Sequence, residues 1–417
     1  MLHLCRKAAV VSAAAALTSL AAVPPAAYAD ETPGVLGVDG SGECTFPMKE
    51  QIEGIPWPLQ RVLLDELWQD TKGKGVRVAV IDTGVDDDNI QLKSAVDASA
   101  GRDLLTPDKK NPGAGDDKRG KTDGTVDEVG HGTKVAGIIA ARPRKGTGFV
   151  GLAPEATIIP IRQNDENNTG NESTMATAID HAVAKGAGVI NISQDTTKPL
   201  PTTSPLNQAV QRAIRKKIVV VASAGNDGMD GKLKTTYPAA FPGVLAVASS
   251  DRNNERAAFS QAGTFVGVAA PGVDVVSTVP GNGQCVDNGT SFSAPYVAGV
   301  AALLKAKYPK WTVAQIIAQI EQTAERSVNG RDNFVGWGVV DPVRALSGDG
   351  HPIAAPHADP GPPKPPAPEP AHLAMTETVQ ERNERYATYA LGMGVVLVAV
   401  VAGAATVIRD TRRTRAR

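Results

Sequence analysis

Cysteine is scarce in this sequence, with three in 417 residues, which excludes a disulfide scaffold and a Cys-rich zinc module. Neither charge dominates, because 43 Lys and Arg stand against 44 Asp and Glu for a net charge of −1. Without a basic field to gather phosphates, nucleic acid is excluded as the main partner. The mean hydropathy of −0.14 excludes a polytopic membrane protein, yet it leaves room for one or two spans hidden in the average. What is present is enough apolar residue, 42%, to bury a core, so wholesale disorder is excluded as well. Length alone allows two or three domains, and no internal repeat is visible.

Both ends point to a membrane. Residues 1–29 place Arg6 and Lys7 before a small-residue apolar run that ends in Ala27-Tyr28-Ala29, the pattern of a secretory signal peptide cut after Ala29. The alternative, an uncleaved anchor helix, is disfavoured by Pro24-Pro25 within an Ala-rich run. Cleavage removes Cys5 and leaves Cys44 and Cys285 in an oxidising setting, where they are expected to pair; two separate buried thiols are the alternative. Near the other end, residues 390–408 form an uncharged 19-residue run, long enough to cross hydrocarbon as a helix. Arg409, Arg412, Arg413, Arg415 and Arg417 follow it, so the positive-inside rule keeps residues 409–417 cytoplasmic and the region before the span outside. Without Arg6, Lys7 and these tail arginines, the exported part is net acidic.

Residues 348–370 are too rich in Pro for helix or sheet and read as an extended spacer. The charged, helix-compatible stretch up to 389 reads as a juxtamembrane extension of the span. Upstream, residues 57–347 alternate β-branched runs (77–81, 157–161, 188–193, 217–223, 244–250) with small-residue helical runs (131–141, 173–186, 205–217, 293–307, 312–324). That alternation predicts one α/β domain with a buried, mostly parallel central sheet flanked by helices. Residues 106–130 are polar and Gly/Pro-punctuated, and are expected to form a surface loop open to nicking.

Three reactive side chains fall at junctions between expected elements, where a parallel sheet presents its functional edge. Asp82 ends the run VAVID, His131 heads HGTKVAG, and Ser291 opens a helix in NGTSFSAPYVAG. A serine hydroxyl needs a base to become a nucleophile at neutral pH, and His has the suitable pKa. The imidazole in turn needs a carboxylate to fix its tautomer and stabilise its charge. Alone, each residue would more often be a turn, cap or structural residue; together with Gly-rich flanks they form a constellation. Asn226, in ASAGNDG after another apolar run, supplies a side-chain amide of the kind that stabilises a tetrahedral oxyanion, worth on the order of 3 kcal/mol.

In this order, the DTG, HGT, AGN and GTSFSAP segments resemble the subtilisin-like serine proteases over roughly residues 57–346. The resemblance implies a subtilisin-like three-layer fold, with Asp82 as orienting acid, His131 as general base and acid, Ser291 as nucleophile and Asn226 as oxyanion donor beside the Ser291 N–H. The layout of signal peptide, protease domain, Pro-rich spacer, single C-terminal span and Arg tail resembles the mycosins, membrane-anchored proteases of actinobacterial type VII secretion systems. That likeness implies polypeptide substrates secreted by the same system, a place beside the secretion complex subunits, and no cofactor. A structural subunit with secondary proteolysis is the alternative.

The sequence also departs from the family. Subtilases usually wall the cleft with Ser-Leu-Gly-Gly, but here Ser193 is followed by Gln194-Asp195-Thr196, so only Ser193 matches. On the opposite edge, NNTGNES keeps only Gly170. A narrow peptidase specificity follows from these changes. Residues 30–56 are too short for an inhibitory prodomain and are expected to wrap the catalytic domain as an arm, with Cys44 bonded to Cys285 near Ser291. The Asp86-Asp87-Asp88 run reads as a solvated turn, not a metal site. GTGFVG (146–151) fits a dinucleotide pattern but lies after a helix and before a strand, the reverse of what that fingerprint needs, so no nucleotide is expected.

Overall fold

Successive residues of a strand point to opposite faces of a sheet, so a strand covered on both sides must be apolar throughout. Strand β1 (Arg77–Asp82) meets that requirement: Val78 and Val80 enter one core cluster, Ala79 and Ile81 a second. In the structure, a computed structural model, β1 is joined by β2 (Arg102–Asp103), β3 (Thr157–Arg162), β4 (Val189–Ile192), β5 (Val219–Ser223), β6 (Leu245–Ser250) and β7 (Val266–Pro271). They form one parallel sheet in the order β2-β3-β1-β4-β5-β6-β7. Helices His131–Ala140, Thr290–Lys307 and Val313–Thr323 contribute to the first cluster, and Glu172–Ala184 and Pro205–Arg215 to the second. This is the three-layer α/β architecture expected from the sequence. Helix Thr290–Lys307 is buried continuously from Thr290 to Leu304, which explains why it is apolar all round instead of amphipathic.

The described residues are 44, 46–48, 51–105, 121–165, 170–348, 350–360 and 376–415. The expected signal peptide, the N-terminal extension up to residue 43, residues 106–120 of the expected surface loop and residues 361–375 of the spacer lie outside them.

Each of the five expected strands is present, and the structure adds β2, β7 and an antiparallel hairpin of β8 (Val275–Thr278) and β9 (Gln284–Asp287). The β7 segment VGVAAP contains Gly267 and ends in Pro271, which weaken a strand signal; it is the last named strand of the sheet, paired with β6 on one side and bridged on the other to Val339, with Ala269 N–H donating to Gly338 O at 2.9 Å.

The N-terminal arm lies along that hairpin. Cys44 is bonded to Cys285, with Cα atoms 5.9 Å apart. Met48 N–H donates to Asn282 O at 3.1 Å, Ile52 N–H to Gln284 Oε1 at 2.8 Å, and Trp57 Nε1–H to Val273 O at 2.9 Å. Of the 146–151 glycines, Gly148 serves this packing: a Cβ there would stand 2.6 Å from the Gly54 and Ile55 backbone.

Two compact units divide the chain, Met1–Pro360 and Gly361–Arg417. The beginning of the Pro-rich stretch therefore belongs to the first. Arg326 donates to His357 O at 3.1 Å and pairs with Asp359, whose N–H donates to Asn329 O at 2.7 Å. The segment lacks helix and sheet, as its Pro content dictates, but side chains at the end of helix Val313–Thr323 hold it. The second unit contains helix Val379–Thr414, capped by Thr378 and Glu381, with 36 residues and a window of mean hydropathy 2.5, long and apolar enough to cross a membrane.

Candidate active site

In the strand order, β1 is flanked by β3 on one side and β4 on the other, and the chain reverses its direction of travel across the sheet there. Such a switch opens a crevice at the carboxyl ends of the strands. Asp82 sits at that end of β1 with none of its surface exposed. Its Oδ1 accepts from the Thr83 N–H at 2.8 Å and lies 2.7 Å from His131 Nδ1. His131 is the first residue of its helix. The approach of helix to strand depends on Gly132, where a Cβ would stand 3.0 Å from the Asp82 Cβ and collide with Gly84 O. Burial pulls the His131 pKa down, but the charge and hydrogen bond of Asp82, with the charge of Asp127, more than offset burial and the opposing Lys134, and the net shift is upward. The Phe292 ring, 5.4 Å away centroid to centroid, covers part of the imidazole.

Ser291 lies in the first turn of helix Thr290–Lys307 and is 8% exposed. Its Oγ–H donates to Ser193 O at 3.1 Å. Ser193 Oγ receives Asn191 Nδ2–H at 2.8 Å and donates to Ser291 O at 3.1 Å. The expected cleft residue Ser193 thus touches the expected nucleophile directly. Gly170 does not: its N–H donates to Asn164 Oδ1 at 3.0 Å, and a Cβ there would meet Gln163. Gln163 in turn is bonded to Gln194, which links the two edges of the expected cleft.

Asn226 follows β5, and its Oδ1 accepts from both N–H and Oγ1–H of Thr290, each at 2.9 Å. A backbone N–H can only donate, so the amide oxygen must face Thr290 and the NH₂ must face away. Gly289 completes the arrangement. Its φ of 149° and ψ of 155° lie in a region that only glycine occupies readily. The point where a Cβ would stand is 3.6 Å from Asn226 Nδ2 and 3.7 Å from Ser291 N. Two nitrogen donors therefore lie within 4 Å of a place left open by the missing side chain.

A scan against family models matches residues 73–338 to the subtilase family. The chain belongs to the subtilase family. Among characterised relatives of this subtilase, mycosin-4 of Mycobacterium tuberculosis (strain ATCC 25618 / H37Rv) is 36% identical, over 84% of this chain and 81% of that protein. Subtilisin E of Bacillus subtilis (strain 168) is 35% identical, over 70% of this chain and 71% of its own. The solved structure of the MycP3 protease from the type VII (ESX-3) secretion system superposes with a TM-score of 0.62 at 32% identity, covering 72% of this chain and 91% of that one. The subtilase is thus a serine endopeptidase by family and a relative of the mycosins of type VII secretion.

Several residues of the site were not singled out in the sequence. Asp127, Thr83, Asn191 and Thr290 anchor the groups above. Thr83 and Thr290 adjoin Asp82 and Ser291, and Asp127 precedes an expected helix start, where a capping carboxylate is a recognisable signal. Asn191, inside an apolar strand, gives no such signal.

Proposed function

We propose that the protein is an extracytoplasmic serine endopeptidase, anchored by the span 390–408, that cleaves a narrow set of polypeptides secreted by a type VII system. In this reading residues 1–29 are removed on export, 57–347 form the catalytic domain, 348–389 the spacer and juxtamembrane segment, and the Arg-rich 409–417 stay cytoplasmic. The Asp82–His131 pair, the Phe292 ring that sets the residue after Ser291 against His131, and the approach of Asn226 Nδ2 and Ser291 N to one point beside Gly289 together support the reading.

A scissile carbonyl placed at that point is attacked by Ser291 Oγ, whose proton passes to His131 Nε2. Asp82 holds the Nδ1–H and stabilises the imidazolium. The oxyanion takes hydrogen bonds from Asn226 and the Ser291 N–H, and His131 then protonates the leaving amine. Water, deprotonated by His131, releases the acyl group from Ser291 by the same steps. Because the His131 pKa is raised, activity should fall on the acid side at a higher pH than an ordinary histidine would set.

Treating the purified protein with an active-site serine phosphonate and mapping the adduct tests the assignment; an adduct at any residue other than Ser291 overturns it. A second reading, a structural subunit of the secretion complex, is supported by the bonding of Ser291 Oγ to Ser193 O and by the charge of Asp195 at the cleft wall. Ser291→Ala separates the two, because secretion and substrate processing that both survive it leave only the structural role.

A further inference from the structure

Four residues before His131 lies a carboxylate with no part in the proton transfers above. Asp127 is 6% exposed. Its Oδ1 accepts from Thr83 Oγ1–H and from Gly130 N–H, both at 2.8 Å. Its Oδ2 accepts from Thr133 N–H at 2.8 Å and Thr133 Oγ1–H at 2.6 Å. Thr83 Oγ1 accepts the Gly132 N–H at 3.0 Å, while the Thr83 N–H donates to Asp82 Oδ1. One side chain is therefore bonded both to the residue after Asp82 and to the backbone on either side of His131.

We propose, resting on the serine-protease reading above, that Asp127 is a positioning residue for the base: it clamps the start of the His131 helix to the end of β1 and adds a second negative charge to the field around the imidazole. The geometric part follows from the bonding. Asp82 and His131 meet at 2.7 Å although 49 positions apart, and Asp127 joins the segments that carry them. Without it, the Gly130 and Thr133 N–H groups and the Thr83 hydroxyl lose their acceptor inside the protein, and all must seek new partners.

The electrostatic part follows from the neighbours. Burial pushes the Asp127 carboxyl up, and the net shift is upward although four hydrogen bonds hold it down. Each of its oxygens receives a backbone N–H, which cannot accept a proton in return, so the bonding favours the ionised form. The groups acting on His131 are Asp82 from β1, Asp127 from the preceding turn and Lys134 from its own helix; Lys134 is itself paired with Asp287 of β9 at 2.7 Å. The Phe292 ring, on the Ser291 helix, is uncharged. Neutralising Asp127 leaves Asp82 as the single carboxylate in that set that raises the pKa, opposed by Lys134 and burial.

The test is the second-order rate at which a fluorophosphonate labels Ser291 in the full-length protein, followed across pH, which needs no knowledge of the natural substrate. Asp127→Asn is expected to slow labelling about tenfold or more on the plateau and to move the acid limb to lower pH by roughly half a unit. Thr83→Val should lower the plateau without moving the limb, and Thr83→Ser should restore what Thr83→Val loses. A rate within about twofold of the parent and an unmoved limb in Asp127→Asn overturn the inference while the protease reading stands. If Asp127→Asn does not fold, as circular dichroism would show, an undiminished plateau in Thr83→Val overturns the inference instead. A parent protein that is never labelled overturns the protease reading and this inference with it.

Discussion

Ser193 and Ser291 exchange hydrogen bonds: each hydroxyl donates to the other's carbonyl oxygen at 3.1 Å. The end of β4 is thereby tied to the first turn of the helix that carries the proposed nucleophile. The Ser193 hydroxyl also accepts the Nδ2–H of Asn191, a residue with no exposed surface. Ser193→Ala should therefore destabilise the fold by about 1–3 kcal/mol, since a buried donor loses its partner. Urea denaturation measures this; an unchanged midpoint and slope would show that the tie is not needed.

Replacement of the proposed nucleophile and of the proposed oxyanion donor should differ in size. Ser291→Ala should reduce turnover by on the order of 10⁶, and Asn226→Ala by about 10²–10³, both magnitudes being those of the family's reference enzyme subtilisin. Asn226 carries part of the transition-state charge, while Ser291 forms the bond. Comparable losses in the two variants would speak against this division of roles.

Asp195 gives a pH signature. Although the residue keeps an exposed surface, its carboxyl is pushed up to about 6 by partial desolvation and by the nearby charge of Asp227, and its Oδ2 lies 3.0 Å from where a Cβ on Gly225 would stand. In the unfolded chain the same group titrates near 3.8. Between those values the native state binds the extra proton, so the contribution to stability is fullest below the unfolded pKa and is lost as pH rises through the native one. Asp195→Asn lacks that loss, so its melting temperature should exceed the parent's at pH 7 and converge with it near pH 4. A gap that is constant with pH would place the carboxylate in ordinary solvent.

The bond between Cys44 and Cys285 closes a sequence separation of 241 residues. Cys44→Ser should cost about 2–5 kcal/mol of stability and should loosen the arm along β9, visible as faster amide exchange at Met48 and Ile52. Exchange at those amides that matches the parent would show that the bonds to the Asn282 carbonyl and the Gln284 side chain hold the arm unaided.

What could be read in the sequence was local. Runs such as VAVID and VVVAS must be strands buried on both faces, since an apolar residue at every position has no solvent side to offer. The order of Asp82, His131, Asn226 and Ser291, each beside a glycine or at an element's end, was legible because catalytic groups at a sheet edge need tight turns. Strand β7 was not legible, because Gly267 and Pro271 mask it and its pairing with β6 on one side and the bridge to Val339 on the other make it a strand. Among the described residues of the Pro-rich stretch, 350–360 lack helix and sheet as expected, and their bonds to Arg326 and Asn329 join them to the folded unit.

Composition and periodicity determined a buried parallel sheet with helices, the apolar C-terminal run and the residue types available for chemistry, while the three-layer arrangement was what the family resemblance implied. Tertiary structure alone decided that Asn226 turns its oxygen to Thr290 and its amide outward, that Ser291 is bonded to Ser193, and that Asp127 joins Asp82 to His131. The reason is one of range. Strand and helix patterns repeat every two to four residues and are written along the chain, whereas a hydrogen bond between residues 49 or 98 positions apart exists only after packing has brought its two ends together.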